Sequence, residues 1–151
     1  MSMFISIQTE DFNLVHEYDA LCQNTPNVGA VVTFTGKVRG QDQAEPLSHL
    51  FLEHFPGLTE SEIGRIVAQA EARWALQACR VIHRVGNLYT DEQIVAVLVA
   101  STHRKEAFAA ASYIMDYLKT EAPFWKQEHF KNGASQWVAA KASDDDAKNS
   151  W

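Results

Sequence analysis

Pro123 stops the longest helical pattern in this chain, and the rest of the architecture must be arranged around that stop. From about Thr102 to Glu121, the residues Phe108, Ala111, Ile114, Met115 and Leu118 fall within one arc at about 100° per residue. That spacing predicts a helix with a single inward stripe. Proline lacks an amide hydrogen and disfavours helical backbone at the residue before it, so the helix cannot run on. Upstream, Arg80 to Gly86 and Ile94 to Ser101 read as strands joined by Asn87 to Gln93. Thr59 and Glu62 match a capping box, with Ile63, Ile66, Val67, Ala70 and Trp74 following at helical spacing.

The remaining segments are shorter. Residues 3–8 alternate as a first strand, and Asp11 to Leu21 sets Phe12, Val15 and Tyr18 at helical spacing. GAVVTFTGKVRG is rich in β-branched residues and reads as a strand through about Val38. Gln41 to Pro46 reads as a mobile loop, and Leu47 to Phe55 as a strand closed by Pro56-Gly57. Trp137 to Lys141 is read as a last strand, and Ser143 to Ser150 as a polar tail. No repeat or linker interrupts this order, so residues 1–151 read as one domain of α+β type, with helices on a largely antiparallel sheet.

A net charge of -6 argues against nonspecific nucleic-acid binding, which needs a basic face. It leaves room for a local basic cluster and a small anionic ligand. Cys22 and Cys79 form no CxxC pair and read as reduced thiols. MSMFISIQTEDF lacks a basic n-region, and the apolar run from Ile94 to Ala100 is too short for a bilayer. The expectation is a soluble cytoplasmic protein with no membrane partner.

Several cations sit where the pattern does not want them. Lys119 lies about 20° from Phe108 around the long helix, and Arg104 stands one turn above the same stripe. Two readings are open: snorkelling stems with solvated ends, or working groups of a pocket. His103, Arg104 and Lys105 gather at the helix start, where positive charge opposes the macrodipole unless an anion binds there. Lys37 and Arg39 flank Val38 at a strand end and point to one face if the strand persists. Other constellations are weaker. His49 and His54 face opposite sides of a strand, and His16, His83 and His129 are dispersed without metal-ligand spacing. No P-loop or GxGxxG occurs, and Ser101 with His103 makes no triad. Glu53 and Asp116 have acid/base chemistry but nothing that sets them apart from surface carboxylates.

GAVVTFTGKVRG, LEHFPGLTE, VIHRVGNLY, STHRKEAF and MDYLKTEAPFWKQE follow one another across about residues 28–128. In that order they resemble the large, catalytic subunit of molybdopterin synthase, and the later WV pair and Trp151 are similar to that family's C-terminus. The resemblance implies an α/β hammerhead-like fold with an additional antiparallel β subdomain. It also implies a homodimer at the centre of a heterotetramer. A small ubiquitin-like sulfur carrier would insert its C-terminal Gly-Gly thiocarboxylate into each large subunit. The substrate would be cyclic pyranopterin monophosphate (precursor Z), converted by two sulfur transfers to the dithiolene of molybdopterin. The carrier brings the sulfur, so neither a metal nor a resident cofactor is expected.

By the same resemblance, Lys37, Val38, Arg39, His103, Arg104, Lys119, Lys126, Gln127 and Glu128 are substrate-binding positions, with Lys141 added. Lys119 and Lys126 are assigned to the sulfur-transfer centre as proton donors or stabilisers of developing charge. Arg39, His103 and Arg104 are assigned to the pterin and its phosphate. Gln127 replaces a residue that is often basic in the family. Lys141 replaces a common arginine and lacks its bidentate fork; it is a candidate to act across the dimer. Phe124-Trp125 is expected to turn the chain so that Lys126 returns towards Lys119 and water is excluded. A non-catalytic scaffold or ligand-binding subunit of the same fold is the rival reading.

Overall fold

The computed structural model describes residues 1–40, 45–139 and 141–151 and places eight strands and four helices among them. In chain order these are β1 (Ser2–Gln8), α1 (Leu14–Cys22), β2 (Ala30–Lys37), β3 (Leu47–His54), α2 (Leu58–Arg73) and β4 (Leu76–Arg84). They continue as β5 (Gly86–Tyr89), β6 (Gln93–Ser101), α3 (Arg104–Glu121), β7 (Phe124–Phe130), β8 (Ser135–Trp137) and α4 (Ala142–Asn149). The strands form two four-stranded sheets, ordered β1-β4-β6-β2 and β5-β3-β7-β8. The fold is α+β as expected, and the second sheet is the additional antiparallel β subdomain that the resemblance implies, where the order of segments alone suggests a single sheet. The second sheet is wholly antiparallel, whereas β1 joins the first sheet parallel to β4.

The first sheet is covered on both faces, which explains the unbroken apolar sequence of β6. Val95, Val97 and Val99 face Ile63, Ile66 and Val67 of α2 and Ala110, Ala111 and Ile114 of α3. Ala96, Leu98 and Ala100 face the other way, against Phe12 and Leu21 around α1. Each fully buried Val, Leu or Ile contributes about 1.5–3 kcal/mol, so this strand anchors the domain. The second sheet buries one face around Leu50, Leu52 and Leu88, together with Val38 and Val85.

Several expectations are corrected. Phe108 is 62% exposed, because α3 centres its buried stripe on Ala107, Ala110, Ala111, Ile114 and Leu118. Small alanines let the helix lie close to the sheet, and the bulky Phe108 is left outside. The start of α2 is capped from Glu60 alone: the Gly57 amide donates to Glu60 Oε2 at 3.2 Å, and glycine has no side chain to complete a capping box. Gly57 adopts φ +87°, which a side chain would oppose. Thr59 is instead fully buried: its hydroxyl accepts from Phe55 N and donates to the Pro123 carbonyl at 3.0 Å. That bond ties the start of α2 to the end of α3. β4 begins at Leu76 rather than Arg80, and the supposed connection after Gly86 contains β5. The chain does not turn at Phe124-Trp125. It leaves Pro123 directly as β7, paired with β3. Of the Gln41–Pro46 loop, residues 41–44 lie outside the described residues.

The expected last strand is displaced to Ser135–Trp137, and the polar tail is helix α4. Long-range contacts rather than an apolar stripe fold this tail. Lys148 Nζ meets Glu121 Oε1 at 3.1 Å, and the Trp151 indole donates to Asp116 Oδ2 at 2.6 Å. The Trp151 ring sits edge-on to Trp74 and Tyr113, with the Arg73 guanidinium 5.8 Å from its centroid. Trp151→Ala is therefore expected to lower stability by about 1–2 kcal/mol, a fall of roughly 2–8 °C in Tm. Thermal unfolding followed by circular dichroism checks it, and an unchanged Tm would mean that the clamp contributes nothing.

Candidate active site

The end of α3 and the inner face of the second sheet enclose a cavity of about 470 Å³. Strand alternation decides which side chains reach it. β7 pairs Phe124 with His54, Lys126 with Leu52 and Glu128 with Leu50. Phe124, Lys126 and Glu128 thus share the inward face with Leu50 and Leu52, and all five line the cavity. Trp125, Gln127 and His129 share the opposite face with Glu53, Phe51 and His49. Gln127 is accordingly placed away from the cavity, where its side chain bonds His129 Nε2 at 3.1 Å. His129 stacks on His49 at 4.5 Å between centroids, a pair hidden by sequence distance.

Among the described residues, five cationic side chains line the cavity: Lys37, Arg39, Lys119, Lys126 and Lys141. They arrive from four directions. The register of β2 slips between Gly36 and Lys37, an irregularity that re-aims the strand end. Beyond it, Val38 is buried at 1% exposure and bound through its backbone to Glu92 O and Asp91 N, both at 2.9 Å. The side chain of Val38 belongs to the core. Lys37 and Arg39 on either side of it are exposed and reach the cavity. Lys119 lies in the last turn of α3, where the helix dipole favours a cation. Lys141 is the N-cap residue of α4.

Lys126 is half-buried on the inward face of β7. Burial holds its pKa below the usual lysine value, and the charges of Lys119 and Lys141 push in the same direction. Glu128 and Asp144 oppose them. Glu128 is itself buried and accepts from Gln136 Nε2 at 3.1 Å. An amine with a lowered pKa, among other cations, holds an anion and gives up a proton more readily than a free lysine.

His103 and Arg104 are exposed at the other end of α3. Fifteen residues of helix separate Arg104 from Lys119, about 22 Å along the axis. One chain does not bring them to this cavity. Conversely, the cavity contains residues that sequence reasoning missed. His83 of β4 stacks on Phe124 at 3.9 Å and 19°, and Asp144 and Asp145 enter from the first turn of α4. The His83 Nδ1 lies 2.8 Å from the Arg84 carbonyl, which can only accept, so Nδ1 carries the proton. Burial pushes the His83 pKa down to about 4 against the opposing effect of that bond, with nearby His54 and Lys126 lowering it further. Its only sequence signal was its place in VIHRVGNLY.

The model of the family described as MoaE protein matches residues 7–121. The molybdopterin synthase catalytic subunit of Vibrio cholerae serotype O1 is 49% identical over 147 residues, covering 97% of each chain. Among solved structures, the molybdopterin biosynthesis MoaE protein from Burkholderia ambifaria is 43% identical with a TM-score of 0.85, covering 100% of this chain and 98% of that one. A protein–protein complex of subunits 1 and 2 of the molybdopterin-converting factor from Helicobacter pylori shares the fold. Its TM-score is 0.70 at 20% identity, covering 93% of this chain and 90% of that one.

Proposed function

This chain belongs to the MoaE family, and from that membership we infer that it is the catalytic subunit of a molybdopterin synthase. It transfers sulfur from the C-terminal thiocarboxylate of a small ubiquitin-like carrier to cyclic pyranopterin monophosphate. The product is the dithiolene of molybdopterin, made during molybdenum cofactor biosynthesis. The convergence of five basic side chains on one cavity carries this reading. Donor tail and substrate phosphate are both anionic, and each repels the other unless cations lie between them. Lys119 and Lys126 occupy the place where sulfur passes, stabilising the charge that develops and supplying protons. Lys37, Arg39 and Lys141 hold the phosphate side, and Glu128 receives donors of the substrate. Val38 shapes the site through its backbone, and Gln127 supports it from the outer face.

The whole of residues 1–151 acts as one catalytic domain. No helix among the described residues is long and apolar enough to cross a membrane, and the proposed setting is cytoplasmic. The proposed assembly is a homodimer with a carrier on each subunit; the two-subunit complex of the Helicobacter pylori neighbour supports the carrier part. In that dimer, His103 and Arg104 serve the cavity of the other copy, since they cannot reach their own. The scaffold alternative leaves the accumulation of cations in one cavity without a purpose.

The test is incubation with thiocarboxylated carrier and precursor Z, assaying the dithiolene product. Absence of product from well-folded protein would reject catalysis. Light scattering is expected to give a dimer alone and a two-plus-two complex with carrier. Mixing inactive Arg104→Ala and Lys119→Ala proteins is expected to restore about a quarter of wild-type activity, because random exchange pairs half the chains and each mixed dimer keeps one intact site. No recovery would leave Arg104 outside the site.

A further inference from the structure

The cations account for anions, but they do not account for two rings that line the same cavity. His83 and Phe124 both line the cavity as a near-parallel stack, which fixes the plane of the imidazole. The Arg84 carbonyl fixes its tautomer, leaving Nε2 as the nitrogen with a lone pair. Nε2 has no hydrogen-bond partner among the described residues, yet it is not among their sealed-off polar atoms. A neutral acceptor is thus held in a fixed orientation by a residue that lines the cavity, where the carboxylates Glu128, Asp144 and Asp145 are charged acceptors.

We propose that His83 is a specificity-determining residue whose Nε2 accepts a hydrogen bond from an N–H donor of the pterin ring. The proposal rests on the pterin reading given above and deepens it. Ammonium and guanidinium groups attract phosphate, sulfate and carboxylate alike, so charge alone selects poorly. A ligand that covers Nε2 without a donor leaves a buried acceptor unpaired, which costs free energy. A ligand with a ring N–H meets it. Burial, with His54 and Lys126 acting in the same direction, keeps the imidazole neutral at physiological pH, so the lone pair remains available.

Calorimetric titration with precursor Z and, separately, with inorganic phosphate tests this without relying on turnover. His83→Phe keeps a ring on Phe124 but removes the acceptor. It is expected to weaken precursor Z binding about tenfold while leaving phosphate binding within about twofold. His83→Gln, which returns an acceptor near the Nε2 position, is expected to recover most of the loss. His83→Leu, measured alongside, gives the same comparison if the Phe variant folds poorly. Unchanged precursor Z affinity without the acceptor would overturn the proposal. So would parallel loss of precursor Z, phosphate and carrier binding, or failure of Gln to recover affinity. Wild-type protein that binds precursor Z tightly but forms no dithiolene would count against sulfur transfer while leaving this selectivity in place.

Discussion

Lys119→Ala is expected to reduce sulfur transfer by at least about a hundredfold while leaving the fold and the carrier complex intact. Lys119 is exposed in the last turn of α3 and lines the cavity. Its side chain makes no hydrogen bond or ion pair with the described residues, so little structure depends on it. Alanine is the best helix former, and the lost attraction to the helix C-terminus is worth only about 0.3–1 kcal/mol. A large fall in turnover with a small change in Tm therefore separates a working cation from a packing one. Single-turnover product formation and gel filtration of the carrier complex provide the two readouts. Near-normal turnover would make Lys119 a snorkelling surface residue.

Lys126→Met is expected to lose activity by about a hundredfold as well, and to gain stability. Lys126 is half-buried, and its pKa is held below 10.5, first by burial and then by Lys119 and Lys141. The unfolded chain restores the ordinary lysine value. Between the lowered folded value and 10.5 the unfolded state therefore binds more protons, so this group's contribution to stability rises with pH. At neutral pH both states are protonated, and the penalty of the buried charge is felt in full. Methionine removes that penalty and retains an apolar stem, with a rise of roughly 2–4 °C expected. The advantage of the variant should shrink as pH rises through the lowered pKa. Denaturation of both proteins from neutral pH towards 10.5 measures it. A less stable variant, or a gap that ignores pH, would show that Lys126 is not held against its charge.

The two lysines share a design with Glu128 and Asp144, which reduce the mutual repulsion of the cations without removing it. On the proposed function, an arriving phosphate or thiocarboxylate would relieve the mutual repulsion that Lys119 and Lys141 exert on Lys126. Under that proposal function and stability would oppose each other at Lys126, with the large apolar clusters around β6 supplying the stability that such a site draws on.

Local pattern was enough for the elements that carry their own period. The stripe of α2, the β-branched run of β2 and the apolar run of β6 were legible because neighbouring residues alone create those signals. Pro123 marked the end of α3 for an equally local reason. The motifs also pointed to Lys37, Arg39, Lys119 and Lys126 together, and the cavity holds all four. Strand β7 was missed because FWKQEHF alternates between a cavity face and an outer aromatic face, with polar residues on both. Helix α4 was missed because no apolar stripe folds it; Trp151, Lys148 and their distant partners do.

The sequence by itself determined the class of fold, the main core helices and strands, the family, and the cations from which a site is built. Only the tertiary structure decided which side each of those residues serves. It set Lys126 and Glu128 inward and Gln127 outward, although they are consecutive, because a strand alternates faces and the pairing with β3 fixes the register. It placed Arg104 about 22 Å from Lys119, because a rigid helix separates its two ends. It brought His83 beneath Phe124 and Asp144 beside Lys126, contacts that join chain segments far apart in order. Periodicity records which face of an element is apolar. It does not record what the other elements bring to that face, because that depends on how sheets and helices dock across the whole chain.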